Sequence, residues 1–260
     1  MSVLESILLG IIQGLTEFLP VSSSGHIEIG KSLLNSSFFE EENLLFTVIL
    51  HFATAISTIV VFRKTIASLL KGLFKKEKKE MAFSLKIVVS MIPAALIGFF
   101  FEDEIASLFS GSLSFVGYML IITALLLYLA DKAKSTARNV GFIDSLLIGI
   151  AQAIAILPGI SRSGSTIAIS VLLGIDKKKS AEFSFLMVIP LILGKIAKDI
   201  LSGELEALST TNFLPFLFGF LAALISGYFA CNWMLELVRR SKLSYFAIYC
   251  LIVGIIAINS

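Results

Sequence analysis

Two short polar runs interrupt an otherwise apolar chain. The first is Ser22, Ser23, Ser24, Gly25 and His26, preceded by Gln13 and Glu17; the second is Ser161, Arg162, Ser163, Gly164, Ser165 and Thr166. A helix starting after Ser23 or Ser163 would turn its unpaired backbone N–H groups and positive dipole end toward the run before it, which makes an anion site. Serine hydroxyls add donors, Arg162 adds a permanent charge whose planar fork suits phosphate oxygens, and Gly25 and Gly164 permit close approach. Ser and Gly also serve simply to let helices pack closely in lipid, but that use leaves Glu17 and Arg162 unexplained.

Glu17 lies in an apolar stretch, where an unpaired carboxylate is costly, so it needs a partner. His26, Arg162 or a divalent cation can serve, and a hard oxygen donor fits Mg²⁺ or Ca²⁺ better than zinc. His26 is able to act as acid, base or nucleophile. His51 lacks such company in the sequence and is expected to be a satisfied core residue, with a supporting role at the site as the alternative.

These groups must be positioned by an apolar frame. Of 260 residues 57% are hydrophobic and 15% charged, with a mean hydropathy of +0.94. Such a balance excludes a water-soluble surface and implies one integral membrane domain over 1–260. The first ten residues carry Glu5 and no basic run, so they are expected to belong to the fold rather than to a cleaved leader. Cys231 and Cys250 sit inside apolar runs and are expected to be small lipid-side or packing residues, not a disulfide or a thiolate metal site. Nothing implies nucleic acid.

Six stretches are long and apolar enough to span: 44–62, 84–101, 113–130, 181–197, 213–233 and 243–258. Two others, 3–19 and 143–157, are cut by Pro20 and Pro158 and then by the polar runs. Broken helices of this kind are tolerated at bilayer depth only under cover of protein or beside a polar cavity, so each is expected to be a re-entrant helical hairpin.

The two hairpins are copies. At an offset of 139 the residues Leu8, Gly10, Ile11, Gln13, Ser22, Ser24 and Gly25 recur as Leu147, Gly149, Ile150, Gln152, Ser161, Ser163 and Gly164. Weaker echoes link Ala94 to Ile97 with Ala222 to Ile225, and Phe115 and Tyr118 with Phe246 and Tyr249. The chain thus reads as a tandem repeat, 1–135 and 140–260, each half with one hairpin and three spans. Three is odd, so the fold class expected is an all-α membrane protein with an inverted-topology repeat. Loop charges agree: sixteen Lys and Arg fall on 63–80, 131–142, 175–180 and 235–242, whereas the opposite loops carry Glu40, Glu41, Glu42, Glu102, Asp103, Glu104, Asp199, Glu204 and Glu206. Basic loops stay in the cytoplasm, which places the first hairpin's mouth outside and the second's inside, their tips near the midplane. Lys195 and Lys198 run mildly against this pattern and are expected to snorkel.

The stretch from Gln13 to His26, with Pro158 to Thr166 and the phrase Ala181, Glu182, Phe183, Ser184, Phe185, Leu186, resembles the two motifs of the undecaprenyl-diphosphate phosphatases of the bacitracin-resistance type. The resemblance implies an enzyme of the bacterial inner membrane that hydrolyses undecaprenyl diphosphate to the monophosphate carrier for cell-wall synthesis. It also implies a requirement for a divalent cation, Mg²⁺ or Ca²⁺. Gln13 and Glu17 match the acidic motif in its Gln form, leaving Glu17 the sole carboxylate to hold the metal, with Gln13 ligating it or orienting through its amide. Ser23 and His26 match the catalytic pair and Arg162 the phosphate-binding arginine. Ser22, Ser24, Gly25, Ser161, Ser163, Gly164 and Thr166 are expected to bind substrate. The nucleophile is Ser23, His26 or a water, with His26 or Glu17 handling the proton. The partners implied are a polyprenyl diphosphate lipid and the bilayer, with room for a homodimer. A transporter of a polyprenyl phosphate would use the same architecture and stands as the rival.

Overall fold

The computed structural model describes residues 2–33, 40–101, 104–105, 112–134, 136–201, 213–240 and 242–259. Among these the chain forms α1 (Val3–Phe18), α2 (Ser23–Leu33), α3 (Glu40–Val61), α4 (Arg63–Phe74), α5 (Lys78–Phe100), α6 (Leu113–Lys132), α7 (Phe142–Ile154), α8 (Arg162–Leu172), α9 (Lys177–Leu201), α10 (Phe213–Arg239) and α11 (Leu243–Asn259). Each of the six expected spans is a helix. Four of them, α5, α6, α9 and α10, are long and apolar enough to cross a membrane by themselves. The fifth, α3, qualifies together with α4, into which it bends by 76° at Phe62. The sixth, α11, has 17 residues, about 26 Å at 1.5 Å per residue and near the lower limit for a hydrocarbon core. Large apolar side chains such as Leu85, Val88, Ile92, Leu96 and Phe99 of α5 point outward, where lipid takes the place of a protein core. Glu102, Asp103, Glu204 and Glu206 of the acidic loops lie outside the described residues, as do the side chains of Lys31, Glu40, Glu41, Glu42, Lys195 and Asp199.

The two broken segments fold alike for reasons readable in each. Helix α1 starts on Ser2, whose hydroxyl accepts the Glu5 N–H while the Glu5 carboxylate accepts the Ser2 N–H. It stops at Phe18 because Leu19, preceding Pro20, is held extended at ψ 142°. The chain then turns through Ser22, a non-glycine residue at φ +70°, and re-enters helix at Ser23. Helix α7 starts with the Asp144 carboxylate accepting the Gly141 N–H and ends before Pro158, and Gly159 at φ +96° makes the turn into α8. Ser22 accepts the N–H of Gly25 at 3.3 Å, and Ser161 accepts that of Gly164 at 3.0 Å. The two serines are therefore the same helix cap, used twice.

Both tips meet inside the protein. A Cβ on Gly25 would lie 3.2 Å from the Gly159 Cα, and one on Gly164 would lie 3.2 Å from the Pro20 Cβ. Ser163 Oγ donates to the Leu19 carbonyl at 3.3 Å. Packing is reciprocal: α1 lies along α10, α7 lies along α5, and α6 pairs with α11. Each hairpin is thus covered by a spanning helix of the other half. Phe18, Leu120, Leu127, Phe185 and Met234 belong to the main buried cluster, and Phe18 meets Phe185 edge-on at 5.7 Å. Cys231 and Cys250 are buried free thiols, as expected of packing residues.

The base of the second hairpin is strapped shut. Arg138 binds both oxygens of Asp144 at 3.0 and 2.9 Å and donates to the Leu173 carbonyl at 2.6 Å. Thr136 donates to the Gly174 carbonyl at 2.6 Å, and Lys86 donates to the Val140 carbonyl at 2.8 Å.

Candidate active site

Glu17 lies where the tips join, in the last turn of α1, and is 7% exposed. Its Oε1 is paired with the Arg162 guanidinium from the first turn of α8. Its Oε2 accepts from Ser23 Oγ at 2.8 Å and from Gln13 Nε2 at 2.9 Å, with His51 Nδ1 at 3.6 Å. Burying this carboxylate costs several kcal/mol, on the order of 3 or more, and the ion pair with two further donors is what offsets it. Of the two side chains open to Glu17 in the sequence, His26 and Arg162, Arg162 is the one in place. Two polar atoms beside this pair are buried without a partner among the described residues: Arg162 Nη1 and Gln13 Oε1. One is a charged donor and the other an acceptor. An oxyanion answers the first and a hard cation answers the second.

His26 does not pair with Ser23. Its Nδ1 stands 2.8 Å from the Ser22 carbonyl, which only accepts, so Nδ1 carries the proton. Nε2 then accepts from the Tyr249 hydroxyl at 2.8 Å, and the two rings stack at 5.5 Å with planes 12° apart. Ser23 sends its hydrogen to Glu17 instead. Of the two groups expected to take the serine proton, Glu17 is the one within reach. Losing the Tyr249 hydroxyl removes one neutral hydrogen bond worth about 1 kcal/mol, so Tyr249→Phe should lower steady-state phosphate release by less than about tenfold. His26→Ala, which removes the ring itself, should cost more in the same assay.

The remaining expected residues divide by position. Ser22 and Ser161 spend their hydroxyls as caps, with Ser24 and Ser163 beside them at 3.3 and 3.4 Å. Their contribution at the site is to aim the helix N-termini. Gly25 and Gly164 form the contact between tips. Thr166 is not brought to Glu17: its hydroxyl donates to the Arg162 carbonyl at 2.8 Å and meets Ser184 Oγ at 2.6 Å, fastening α8 to α9. The second tip repeats the polar shell without the carboxylate. Ile156 stands where Glu17 would, and Gln152, 1% exposed, has no partner for either amide atom among the described residues.

Three residues that matter here were not singled out as site residues. His51 is 34% exposed at its side chain and touches the Gln13–Glu17 pair, the alternative rather than the expected core role. Its signal in the sequence was a lone polar residue on an apolar helix. Thr123 Oγ1 accepts the Ser161 N–H at 3.0 Å and so fixes the second cap. Thr123 and Tyr249 act across 38 and 223 positions, and no local spacing marks them. For a cation, no group of three His, Cys, Asp or Glu side chains occurs among the described residues. The hard oxygens present are Glu17 and Gln13 Oε1, which suit Mg²⁺ or Ca²⁺ and leave most of the coordination to be met by phosphate or water.

A family model described as bacitracin resistance protein BacA matches residues 6–256. The chain belongs to the BacA family. Among curated relatives, one from Christiangramia forsetii is 60% identical over 259 residues, covering 99% of this chain and 98% of the relative. One from Bacteroides fragilis is 49% identical over 98% of this chain and 96% of its own length. One from Methanococcus vannielii is 40% identical over 98% of this chain and 99% of its own length. All three carry the name undecaprenyl-diphosphatase. The BacA match takes in both polar tips and nearly all of the six spans.

Proposed function

We propose that this chain is an undecaprenyl-diphosphatase, releasing inorganic phosphate from undecaprenyl diphosphate and returning the monophosphate carrier to cell-wall synthesis, with bacitracin resistance as the consequence. The observation that carries the reading is the Glu17–Arg162 pair with Ser23 hydrogen-bonded to the same carboxylate. The names of full-length relatives point the same way.

The chemistry proposed is phosphoryl transfer through the serine. Arg162 turns from Glu17 to the incoming phosphate, joined there by the N-terminal N–H groups of α2 and α8. That exchange frees the carboxylate as it binds the substrate. Ser23 Oγ bonds to the terminal phosphorus, its proton passes to Glu17, and the bond from that phosphorus to the bridging oxygen breaks, leaving undecaprenyl phosphate. Water then attacks the serine phosphate, its proton passing to a phosphate oxygen while the Ser23 Oγ–P bond breaks, and Ser23 recovers its own proton from Glu17 as inorganic phosphate leaves. A divalent cation held by Glu17, Gln13 Oε1 and phosphate oxygens would neutralise charge on the diphosphate.

We place the site in the cytoplasmic membrane of a bacterium, opening to the extracytoplasmic side. Support comes from the basic loops and from the second hairpin's base, which Arg138 and Thr136 close. The test is direct. Purified protein in detergent should release phosphate from a polyprenyl diphosphate with Mg²⁺ or Ca²⁺, and Ser23→Ala should lower the rate about 10³-fold or more, as nucleophile deletions do. A transporter without hydrolytic activity would release none.

A further inference from the structure

Gln13 stands one turn before Glu17 on α1, and an amide has a choice that a carboxylate lacks. It can present oxygen or nitrogen. In this chain both hydrogens of Nε2 are engaged: one goes to Glu17 Oε2 at 2.9 Å and the other meets His51 Nδ1 at 3.1 Å. The reversed amide would set Oε1 against the Glu17 carboxylate, acceptor against acceptor. Oε1 is therefore left buried with no partner among the described residues.

We propose that His51 is a positioning residue of the site, whose Nδ1 accepts the second amide hydrogen of Gln13 and so keeps Gln13 Oε1 as the acceptor offered to the divalent cation. This rests on the reading of Gln13 and Glu17 as cation ligands. Glu17 takes one amide hydrogen and His51 the other, so reversing the amide would break both contacts at once. The place of His51 is set by α3, which packs on α1, α9 and α10 and is tied to α10 by Ser57 Oγ donating to the Leu224 carbonyl at 2.8 Å. An imidazole in this tautomer acts as a fixed acceptor, the part that residues behind a metal ligand usually play.

The experiment uses the full chain in detergent with a methylene-bridged, non-hydrolysable polyprenyl diphosphonate, and reads the Ca²⁺ concentration giving half of the cation-dependent rise in Tm. His51→Leu and Gln13→Leu should each raise that concentration about tenfold or more, whereas His51→Gln, which keeps an acceptor, should stay within about threefold of the unaltered protein. The double variant should be little worse than Gln13→Leu alone, because the two act through one contact. His51→Phe keeps the bulk of the ring should leucine leave a void. An unchanged half-point in His51→Leu and His51→Phe, beside a raised one in Gln13→Leu, would overturn the role of His51 and leave Gln13 as a ligand. Equal impairment by His51→Gln and His51→Leu would overturn it too. No change in Gln13→Leu would remove the ligand reading and this inference with it.

Discussion

Arg162→Ala should lower polyprenyl diphosphate hydrolysis by about 10³-fold or more, the scale of a deleted phosphate-clamping arginine. The residue has two tasks and the variant fails at both. It removes the charge that answers the phosphate oxygens, and it leaves Glu17 buried without its counterion. Breaking a buried pair from one side costs about 3–5 kcal/mol, so a lower Tm should accompany the lost rate. Arg162→Lys separates the tasks. A lysine restores a positive charge for Glu17 but presents a point charge instead of a fork, so Tm should recover more than the rate does. Equal recovery of both would mean that charge alone is what the position needs.

Glu17→Gln should lower the rate by about 10²–10⁴-fold, the range for a general base, with substrate binding affected less than turnover. An amide still accepts from Ser23 but cannot take its proton. The fold should suffer as well, because Arg162 then loses its carboxylate while its Nη1 is already without a partner among the described residues. The double variant Glu17→Gln with Arg162→Gln removes both charges together. It should be more stable than either single charge deletion and equally inactive. Stability regained without activity would assign the loss in Glu17→Gln to chemistry rather than to unfolding. Measured Tm values and phosphate release on the same four proteins decide it.

The sequence made the frame legible because lipid is a severe filter. Every expected span is a helix, since an apolar run in hydrocarbon has no other way to satisfy its backbone. The breaks were legible for the same reason: Pro20 and Pro158 end their helices, and only cover by protein explains the Ser and Arg that follow. The stretch after Phe62 was read less well. Read only as part of a basic loop, 63–74 forms α4, bent by 76° from α3. At the site, the partnership of Glu17 with Arg162 was one of three left open by residue type, and the 145 positions between them are closed only by the meeting of the tips. The orientation of His26 was not legible at all. Nothing between Ser22 and His26 says that its Nε2 faces Tyr249 of α11 rather than Ser23 three residues away. His51 was visible as a polar residue on α3, but its role needed α3 to be placed against α1.

Ser23 as nucleophile, with Glu17 as its base, is the center of the mechanism, and a trapped intermediate tests it most directly. Protein mixed with polyprenyl diphosphate labelled in the terminal phosphate, quenched in acid within a turnover and digested, should carry label on the peptide containing Ser23, and Ser23→Ala should carry none. Label on His26, or full turnover by Ser23→Ala with no labelled protein, would contradict it.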